Sequence, residues 1–465
     1  MRAQEVIKPR NCLSRPLRHL LLPVLCMMML ALPVTRILSA DDNIQQVSAV
    51  ASSTDDVGWP QFRGPDGQGH ADTTELPLTW SETENVRWKT LVMGLGYSSP
   101  VVQGKRVWVT STTDGRRSVR ALCFDRDTGR LIVMSDELFD VTKSGRVLSR
   151  YGYASPTPLL DGDRLFVHFG AAGTACLKLD GTVVWQRVIP YYQHHGPATS
   201  PVLADGTLVI LCDGFTQPYY DDHVQEGVDA NQFVMGLDPD TGEIRWKTPR
   251  DSQHSYSTPL VIKVGGRTQV VCAGGNGVWG YDPNDGTELW YCKYTGFSVV
   301  PKPTAAHGMI FVCTGYDTAS LFAIRDGATG DCSKTHIAWR SHRNIPLVSS
   351  PIVVGDYLYL VSDRGIATCY NVHTGKSVWS KRIEGTFAAS PISSGDRIYF
   401  PSEEGITYVL RSGPNFEELA RNPLDGKLAT SPAAVGNCLF LRSEKYLYCI
   451  GNAEVTAASD RSPNN

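Results

Sequence analysis

Aromatic and histidine side chains gather just before a recurring Ser/Thr-Pro dipeptide, in the first five of eight related segments. Such side chains can stack on a planar ring or a sugar, and they can also form hydrogen bonds with it. We therefore predict that they line one ligand-binding surface. The candidate residues are Tyr97, Tyr153, His194, His195, His254, Tyr256 and Phe297.

Three of these candidates are histidines, and imidazole is a good ligand for zinc or copper. Zinc sites usually combine three or four ligands at characteristic spacings, and no Cys or carboxylate pattern accompanies these histidines. We therefore predict no metal site. The chain also has no Ser-His-Asp order, nucleophile elbow, phosphate loop or paired-carboxylate signature, so we expect no catalytic residue.

The segments that carry the candidates belong to an internal repeat. Each copy has an apolar strand after the proline, a Gly-containing turn and a second apolar strand, as in SSPIVVGDYLYLV. The prolines are 40 to 58 residues apart, and a period near 40 with four short strands is typical of β-propeller blades. They are Pro100, Pro158, Pro201, Pro259, Pro303, Pro351, Pro391 and Pro432.

The second half of most copies contains a turn such as DPDTG and then a strand with a tryptophan. Asp, Asn and Gly supply the side-chain hydrogen bonds and positive φ angles that tight turns need. Aromatic residues that recur in this way are normally packing residues, so we predict that each docks on the neighbouring blade. The tryptophans are Trp185, Trp246, Trp290, Trp339 and Trp379.

The eighth copy ends without a fourth strand, and the missing strand occurs near the start of the chain. Residues 85–90 (NVRWKT) closely match residues 243–248 (EIRWKT). We predict that they pair with residues 445–450 and close the ring, because closure leaves only short sheet edges exposed. The predicted fold is thus all-β, an eight-bladed β-propeller of four-stranded antiparallel blades closed by an N-terminal strand.

In such a fold the segments before the prolines surround one mouth of the central channel. The candidate side chains there either bind a ligand or merely close the mouth. Two copies carry long inserts, at residues 135–153 and 213–233, and long loops on a rigid scaffold often perform recognition. We expect the second insert, which is acidic and contains tyrosines, to lie on the same face and act as a lid.

Residues 1–40 have the features of a signal peptide: basic residues, an apolar stretch at 20–34 and small residues at 38–40. The stretch is shorter than the ~20 residues of a membrane span, so we expect cleavage and no transmembrane segment afterwards. We predict a flexible linker at 41–58, the propeller at 59–452 and a disordered tail at 453–465. The protein would then be exported, to the periplasm or cell envelope.

Charge and cysteine placement narrow the functions further. The leader holds six Lys or Arg and one Glu, so its removal changes the formal net charge from −3 to −8. No basic run or basic face remains, and we expect no nucleic-acid partner. Cys123, Cys369 and Cys449 share one repeat position with Gly236 and Gly280, which predicts small buried residues rather than a disulfide framework.

The pattern Asp-x-x-Thr-Gly-x-x-x-Trp, repeated in register, resembles the pyrroloquinoline-quinone (PQQ) repeat propellers. These include the quinoprotein alcohol dehydrogenases and the BamB-like outer membrane assembly factors. The opening WPQFRGPDGQG, followed by LPLTWSETENVRWKT, is similar to exported bacterial proteins described as PQQ-binding-like β-propeller repeat proteins. The resemblance covers nearly all of the chain after the leader.

Three functions follow from the resemblance. We predict a non-catalytic binding or scaffold propeller of the cell envelope, which recognises a protein, a glycan or a small molecule through its mouth and loops. The first alternative is a PQQ-dependent dehydrogenase, which would use PQQ with calcium. That group has a vicinal disulfide and a calcium-binding trio, and we find neither in this sequence. The second alternative is a BamB-like outer-membrane protein assembly factor.

We predict that the purified chain does not bind PQQ tightly and shows no dye-linked alcohol dehydrogenase activity, with or without calcium. PQQ is a flat tri-acid that needs charge neutralisation and a Lewis acid at its reactive carbonyl, and the sequence shows no group of residues for the latter task. Reconstitution followed by absorbance and dye-reduction assays tests this. A quinone absorbance with substrate-dependent dye reduction would overturn it.

Overall fold

The computed structural model describes residues 44–46, 58–144, 152–192, 195–214, 232–316 and 319–451. The predicted leader at 1–40 and tail at 453–465, most of the linker at 41–58, and residues 145–151 and 215–231 of the two inserts lie outside the described residues. Within the described part of the chain, no helix is long and apolar enough to cross a membrane.

The described residues form β-strands and two short 3-10 helices, Val141–Lys143 and Gly170–Ala172. The first half of the strands are β1 Ile44–Gln46, β2 His70–Ala71, β3 Val86–Leu91, β4 Val101–Gln103, β5 Arg106–Thr113, β6 Ser118–Asp125, β7 Leu131–Met134, β8 Phe139–Asp140, β9 Leu159–Asp161, β10 Arg164–His168, β11 Thr174–Lys178, β12 Val183–Arg187, β13 Val202–Ala204, β14 Thr207–Cys212, β15 Phe233–Leu237, β16 Ile244–Pro249, β17 Leu260–Val264 and β18 Arg267–Gly274.

The second half are β19 Gly277–Tyr281, β20 Glu288–Lys293, β21 Thr304–Ala306, β22 Met309–Cys313, β23 Leu321–Arg325, β24 Gly330–Asp331, β25 Ile337–Ser341, β26 Ile352–Val354, β27 Tyr357–Val361, β28 Ile366–Asn371, β29 Ser377–Arg382, β30 Ile392–Ser394, β31 Arg397–Pro401, β32 Ile406–Arg411, β33 Glu418–Pro423, β34 Ala433–Val435, β35 Cys438–Arg442 and β36 Tyr446–Gly451.

These strands form eight sheets, each with four antiparallel main strands, which are the blades of a propeller. From the inner to the outer strand, the blades are β4–β7, β9–β12, β13–β16, β17–β20, β21–β22–β23–β25, β26–β29, β30–β33 and β34–β35–β36–β3. The predicted fold class is confirmed. Short strands extend some blades, and one of them, β1, comes from the predicted linker and pairs with β17.

The ring closes as the sequence predicts. Strand β3 pairs antiparallel with β36, which places Trp88 opposite Cys449 and Lys89 opposite Tyr448. The first strand of the propeller is thus the outer strand of its last blade.

In the six blades with a tryptophan on the outer strand, a small residue lies opposite the tryptophan on the neighbouring strand. Gly236 lies opposite Trp246, and Cys369 lies opposite Trp379. A Cβ atom added to Gly236 would overlap the Trp246 indole, so a larger side chain has no room there. The described cysteines are free and buried thiols, consistent with this packing role.

The tryptophans also dock on the neighbouring blade. The Trp246 indole Nε1 donates to the Pro283 carbonyl 2.9 Å away, in the β19–β20 turn of blade 4. Gly286 of the same turn has a positive φ of 73°, and a Cβ there would overlap the indole. The Asp-x-x-Thr-Gly pattern and the tryptophan are therefore the two halves of one contact between neighbouring blades.

An equivalent bond from an indole N–H to a backbone carbonyl of the next blade joins other pairs of blades. It confirms the prediction that the tryptophan docks on the neighbouring blade for Trp185, Trp246, Trp339 and Trp379. Trp290 instead donates to Gln269 Oε1 of its own blade, at 2.8 Å. Its ring still packs in the apolar cluster between blades 4 and 5. The hydrophobic core as a whole is distributed over such clusters between blades.

The residue before each repeat proline carries a second contact between blades, which we call the hydroxyl ring. A backbone N–H of one blade donates to the Ser or Thr hydroxyl at the equivalent position of the next blade. The bonds are 2.9–3.1 Å long and join Ser99 to Thr157, Thr157 to Ser200, Ser200 to Thr258, Lys302 to Ser350, Ser350 to Ser390, Ser390 to Ser431 and Ser431 to Ser99. The ring is broken between Thr258 and Lys302, because lysine has no hydroxyl.

We predict that Trp246→Ala lowers the free energy of unfolding by about 3–5 kcal/mol, because it deletes a large aromatic from an interface between blades. Urea unfolding followed by circular dichroism measures this. Ile244→Ala on the same strand is the control, since Ile244 is 47% exposed. We expect that control to change stability by less than about 0.5 kcal/mol. Equal effects of the two substitutions would contradict the docking role.

Candidate functional site

A cavity of about 650 Å³ lies on the axis of the propeller, at the mouth formed by the segments before the repeat prolines. Its inner layer consists of the hydroxyl ring. The residues of this layer that line the cavity are Ser99, Thr157, Ser200, Thr258, Ser350, Ser390 and Ser431. The mouth is therefore an open pocket rather than a channel filled by its own side chains.

The outer layer comes from the residues two positions earlier in each segment. Because side chains of an extended chain alternate in direction, residues two apart face the same side, here the axis. The residues of the outer layer are Tyr97, Ser155, Ala198, Tyr256, Val300, Val348, Ala388 and Ala429. Blades 5 to 8 contribute only small or aliphatic groups to this layer, so its aromatic part is one-sided.

The aromatic wall is completed by residues outside these two layers. His195 and Phe297 line the cavity from blades 3 and 5, and Tyr316 lines it from the end of β22. Phe297 and Tyr316 are 40% and 41% exposed, so part of each ring surface is open to the cavity.

Tyr256 and His195 of the aromatic wall carry polar groups that can ionise. The Tyr256 phenol oxygen is buried near the backbone N–H of His195, yet it makes no well-formed hydrogen bond among the described residues. Burial raises the pKa of this phenol, so the group stays a neutral hydroxyl. Partial burial also lowers the pKa of His195, which favours its neutral imidazole. The wall can therefore stack and exchange hydrogen bonds without presenting charge.

The sequence candidates fall into three groups. Tyr97, His195, Tyr256 and Phe297 line the cavity. Tyr153 and His254 are buried behind its wall: Tyr153 packs between blades 1 and 2, and the His254 ring contacts the Phe297 ring edge-on at 4.4 Å. His194 lies outside the described residues.

Two aromatic residues of the lining were absent from the sequence candidates. Tyr316 follows a second strand rather than preceding a proline, and Phe62 belongs to the N-terminal segment. The sequence did contain an indication for Tyr316. The 213–233 insert follows the second strand of blade 3 and was expected at the mouth, and Tyr316 follows the equivalent strand of blade 5. Nothing in the sequence pointed to Phe62.

The described ends of the 213–233 insert are tied to the mouth by a buried ion pair. Asp213 Oδ1 lies 2.9 Å from Arg250 Nε, and both side chains are fully buried. Burial would lower the pKa of Arg250, but the Asp213 carboxylate raises it overall, so the guanidinium stays charged. Ser255 donates to Asp213, and Gln232 donates to the Gly214 carbonyl. The insert therefore begins and ends beside the aromatic wall, although Tyr219, Tyr220, Asp221 and Asp222 lie outside the described residues.

The floor of the cavity is an N-terminal plug, residues 59–70, which crosses the inner strands beneath the hydroxyl ring. Phe62 of the plug lines the cavity. Backbone and side-chain hydrogen bonds connect the plug to five blades, through Trp59 to Val102, Pro60 to Leu160, Gln68 to Ala305, His70 to Val353 and Gly69 to Ser393. Each partner lies two residues beyond a repeat proline.

Two buried cations lie within this floor. Lys302, which takes the hydroxyl position of blade 5, reaches toward Gly67 of the plug. Burial lowers the pKa of Lys302 to about 7 and the pKa of Arg63 to about 10. Asp66, the nearby carboxylate, is held by His70 at 2.5 Å. Neither cation lines the cavity itself.

The sequence model of the family described as outer membrane protein assembly factor BamB matches residues 71–214 and 230–459. The chain belongs to this BamB family. Among curated proteins, no sequence match was found. The match covers all eight blades, so the repeat of this chain is the repeat of the BamB family.

Solved structures agree on the fold. BamB from Moraxella catarrhalis superposes with a TM-score of 0.55 at 12% identity, covering 78% of this chain and 99% of that one. A quinohemoprotein alcohol dehydrogenase from Comamonas testosteroni gives 0.57 at 10% identity, covering 88% and 82%. The corresponding enzyme ADHIIG from Pseudomonas putida HK5 gives 0.58 at 9% identity, covering 90% and 85%. Non-enzymes and dehydrogenases thus share this architecture, and the fold alone does not distinguish them.

We predict that Lys302→Thr removes a pH-dependent contribution to stability. The native pKa is about 7, whereas an unfolded lysine has a pKa near 10.4, so the unfolded state binds more protons between these values. The wild-type free energy of unfolding should therefore rise relative to the variant by up to ~1.4 kcal/mol per pH unit above pH 7. The introduced threonine would also offer a hydroxyl to the Thr258 N–H.

Urea unfolding at pH 7, 8 and 9 measures the difference between the two proteins. Lys105→Thr is the control, because the Lys105 side chain is 77% exposed and should show no such slope. A difference between wild type and Lys302→Thr that does not change with pH would contradict the prediction.

Proposed function

We propose that this chain is an exported, non-catalytic binding propeller of the cell envelope that holds its partner in the mouth cavity. The observation that carries the proposal is the lining of the cavity: a ring of hydroxyls below a one-sided aromatic wall, open at the mouth and floored by the plug. The predicted leader and the BamB family membership support the envelope location.

The lining favours a neutral, hydroxyl-rich occupant such as a sugar residue of a glycan. Among the described residues, no Arg, Lys, Asp or Glu side chain lines the cavity. Hydroxyls can both donate and accept, which suits a sugar, and exposed rings such as Phe297 can stack on its apolar face. His195 supplies a further polar group on the same side, and the Tyr256 ring supplies a further stacking surface.

The described lining does not fit PQQ with calcium. A tri-acid needs cations to neutralise it, and neither Arg63 of the plug nor Lys302 of blade 5, which reaches toward the plug, lines the cavity. Calcium needs several oxygen ligands, normally with carboxylates among them, and the described part of the lining contributes no carboxylate. We therefore derive no redox step for this site.

A second candidate function follows from the family match. A BamB-like assembly factor binds protein partners, and the 213–233 insert begins and ends beside the mouth, where the Arg250–Asp213 ion pair holds its first residue. A loop on this face could contact a protein while the cavity receives one of its side chains. The two candidates predict different molecules at the same place.

We predict that a photo-reactive phenylalanine analogue at position 297 captures a partner in intact native cells, whereas the same analogue at position 132 does not. Phe297 faces the cavity, and Ile132 lies on the outer strand of blade 1 with a similar exposure of 47%. Mass spectrometry of the adduct identifies a glycan or a protein. Fractionation of the same cells tests export.

Adding Tyr256→Phe provides the internal control. Because the Tyr256 phenol oxygen is buried, its loss should leave the adduct yield at position 297 unchanged. Stability should stay equal or rise slightly, because a buried hydroxyl without a well-formed hydrogen bond among the described residues is removed. Adducts of the same kind and yield at positions 297 and 132, or none at position 297, would overturn the proposal.

A further inference from the structure

Three turns at the base of the propeller, at the far end of the inner strands from the mouth, bring two histidines and an aspartate together. His307 lies in the β21–β22 turn of blade 5, and Asp356 and His373 lie in the β26–β27 and β28–β29 turns of blade 6. One ligand atom from each of the three residues can be chosen so that all lie within 4.8 Å of one another. The cluster therefore spans the boundary between two blades.

The distances in the cluster are close to those of a metal site. His373 Nε2 lies 3.2 Å from Asp356 Oδ1, and His307 Nε2 lies 3.8 Å from the same oxygen. A tetrahedral ion with bonds of about 2.1 Å separates its ligand atoms by about 3.4 Å. The two separations from Asp356 Oδ1 bracket that value.

We propose that His307, Asp356 and His373 form a binding site for a late first-row divalent cation such as Zn²⁺. Imidazole nitrogen and carboxylate oxygen are suitable ligands for this class of ion. Three protein ligands leave the fourth tetrahedral position to water, since the site is open to solvent: the His373 and Asp356 side chains are 51% and 63% exposed.

The backbone fixes the position of His307. Its φ is +52° and that of Gly308 is +67°, which are the angles of a two-residue type I′ turn. The equivalent turn of blade 3 has Asp205 and Gly206 with the same signs of φ. The turn thus holds the His307 Cβ in place, and the side chain reaches across to the next blade.

Binding of the cation requires one local exchange. His307 Nε2 lies 2.8 Å from the Gly355 carbonyl, to which it donates when Nε2 carries the ring hydrogen. In the bound form the Nε2 lone pair faces the cation and the hydrogen resides on Nδ1, so this hydrogen bond is given up. The two blades are then joined through the ion instead of through that hydrogen bond.

Calorimetric titration of the metal-free full chain with ZnCl₂ tests the proposal. We expect one equivalent of Zn²⁺ to bind, with a rise in melting temperature that EDTA reverses, because a ligand of the native state stabilises it. His373→Ala should weaken that binding at least tenfold. His307→Asn should do the same while preserving the turn, since Asn-Gly is a favoured type I′ sequence.

Two control variants separate this site from other histidines. His336→Ala removes a blade 5 histidine outside the cluster, and His195→Ala removes a histidine of the mouth; both should keep the equivalent of Zn²⁺ and the thermal shift. Substituting Co²⁺ should give a visible absorption band that His307→Asn and His373→Ala both lose. Absence of Zn²⁺ binding to the wild-type chain, or binding that survives His307→Asn and His373→Ala together, would overturn the proposal.

Discussion

The hydroxyl ring is the contact on which the rest of the propeller depends. Every blade except the fifth presents a Ser or Thr hydroxyl to the backbone N–H of its neighbour, so the inner strands are held at one spacing around the axis. The N–H takes this hydroxyl as its partner, and leaving a buried N–H unpaired would be costly. The repeated Ser/Thr before proline therefore joins neighbouring blades, and the cavity inherits its hydroxyl lining from these contacts.

The outer contacts follow a complementary rule. An indole reaches the next blade's turn only because glycine leaves its face uncovered, and a small residue opposite the tryptophan makes room within the blade. Together the two sets of contacts fix the blade at its inner and outer strands. Between these fixed strands the mouth segments and turns are free to vary, which is why Tyr256, Lys302 or His307 can occupy positions that hold simpler residues in other blades.

These variable positions give the protein its individual chemistry. At the mouth they produce an uncharged cavity with an aromatic wall on one side. At the floor they place Lys302 against the plug, where burial lowers its pKa to about 7. At the base they gather His307, Asp356 and His373 at a blade boundary. A fold shared by assembly factors and dehydrogenases thus carries different sites through few substitutions.

The sequence by itself determined the blade number, the strand order and the closing strand, because these depend on local patterns that repeat, such as NVRWKT and EIRWKT. It also placed Tyr97, His195, Tyr256 and Phe297 at the mouth. Only the tertiary structure decided that Tyr153 and His254 are buried behind the cavity wall. Side chains alternate in direction only along regular extended backbone, and these two residues lie in irregular segments. The sequence also gave no indication that Phe62 lines the cavity or that His307 and His373 meet at a blade boundary. Contacts between residues far apart in the chain form only when the ring closes.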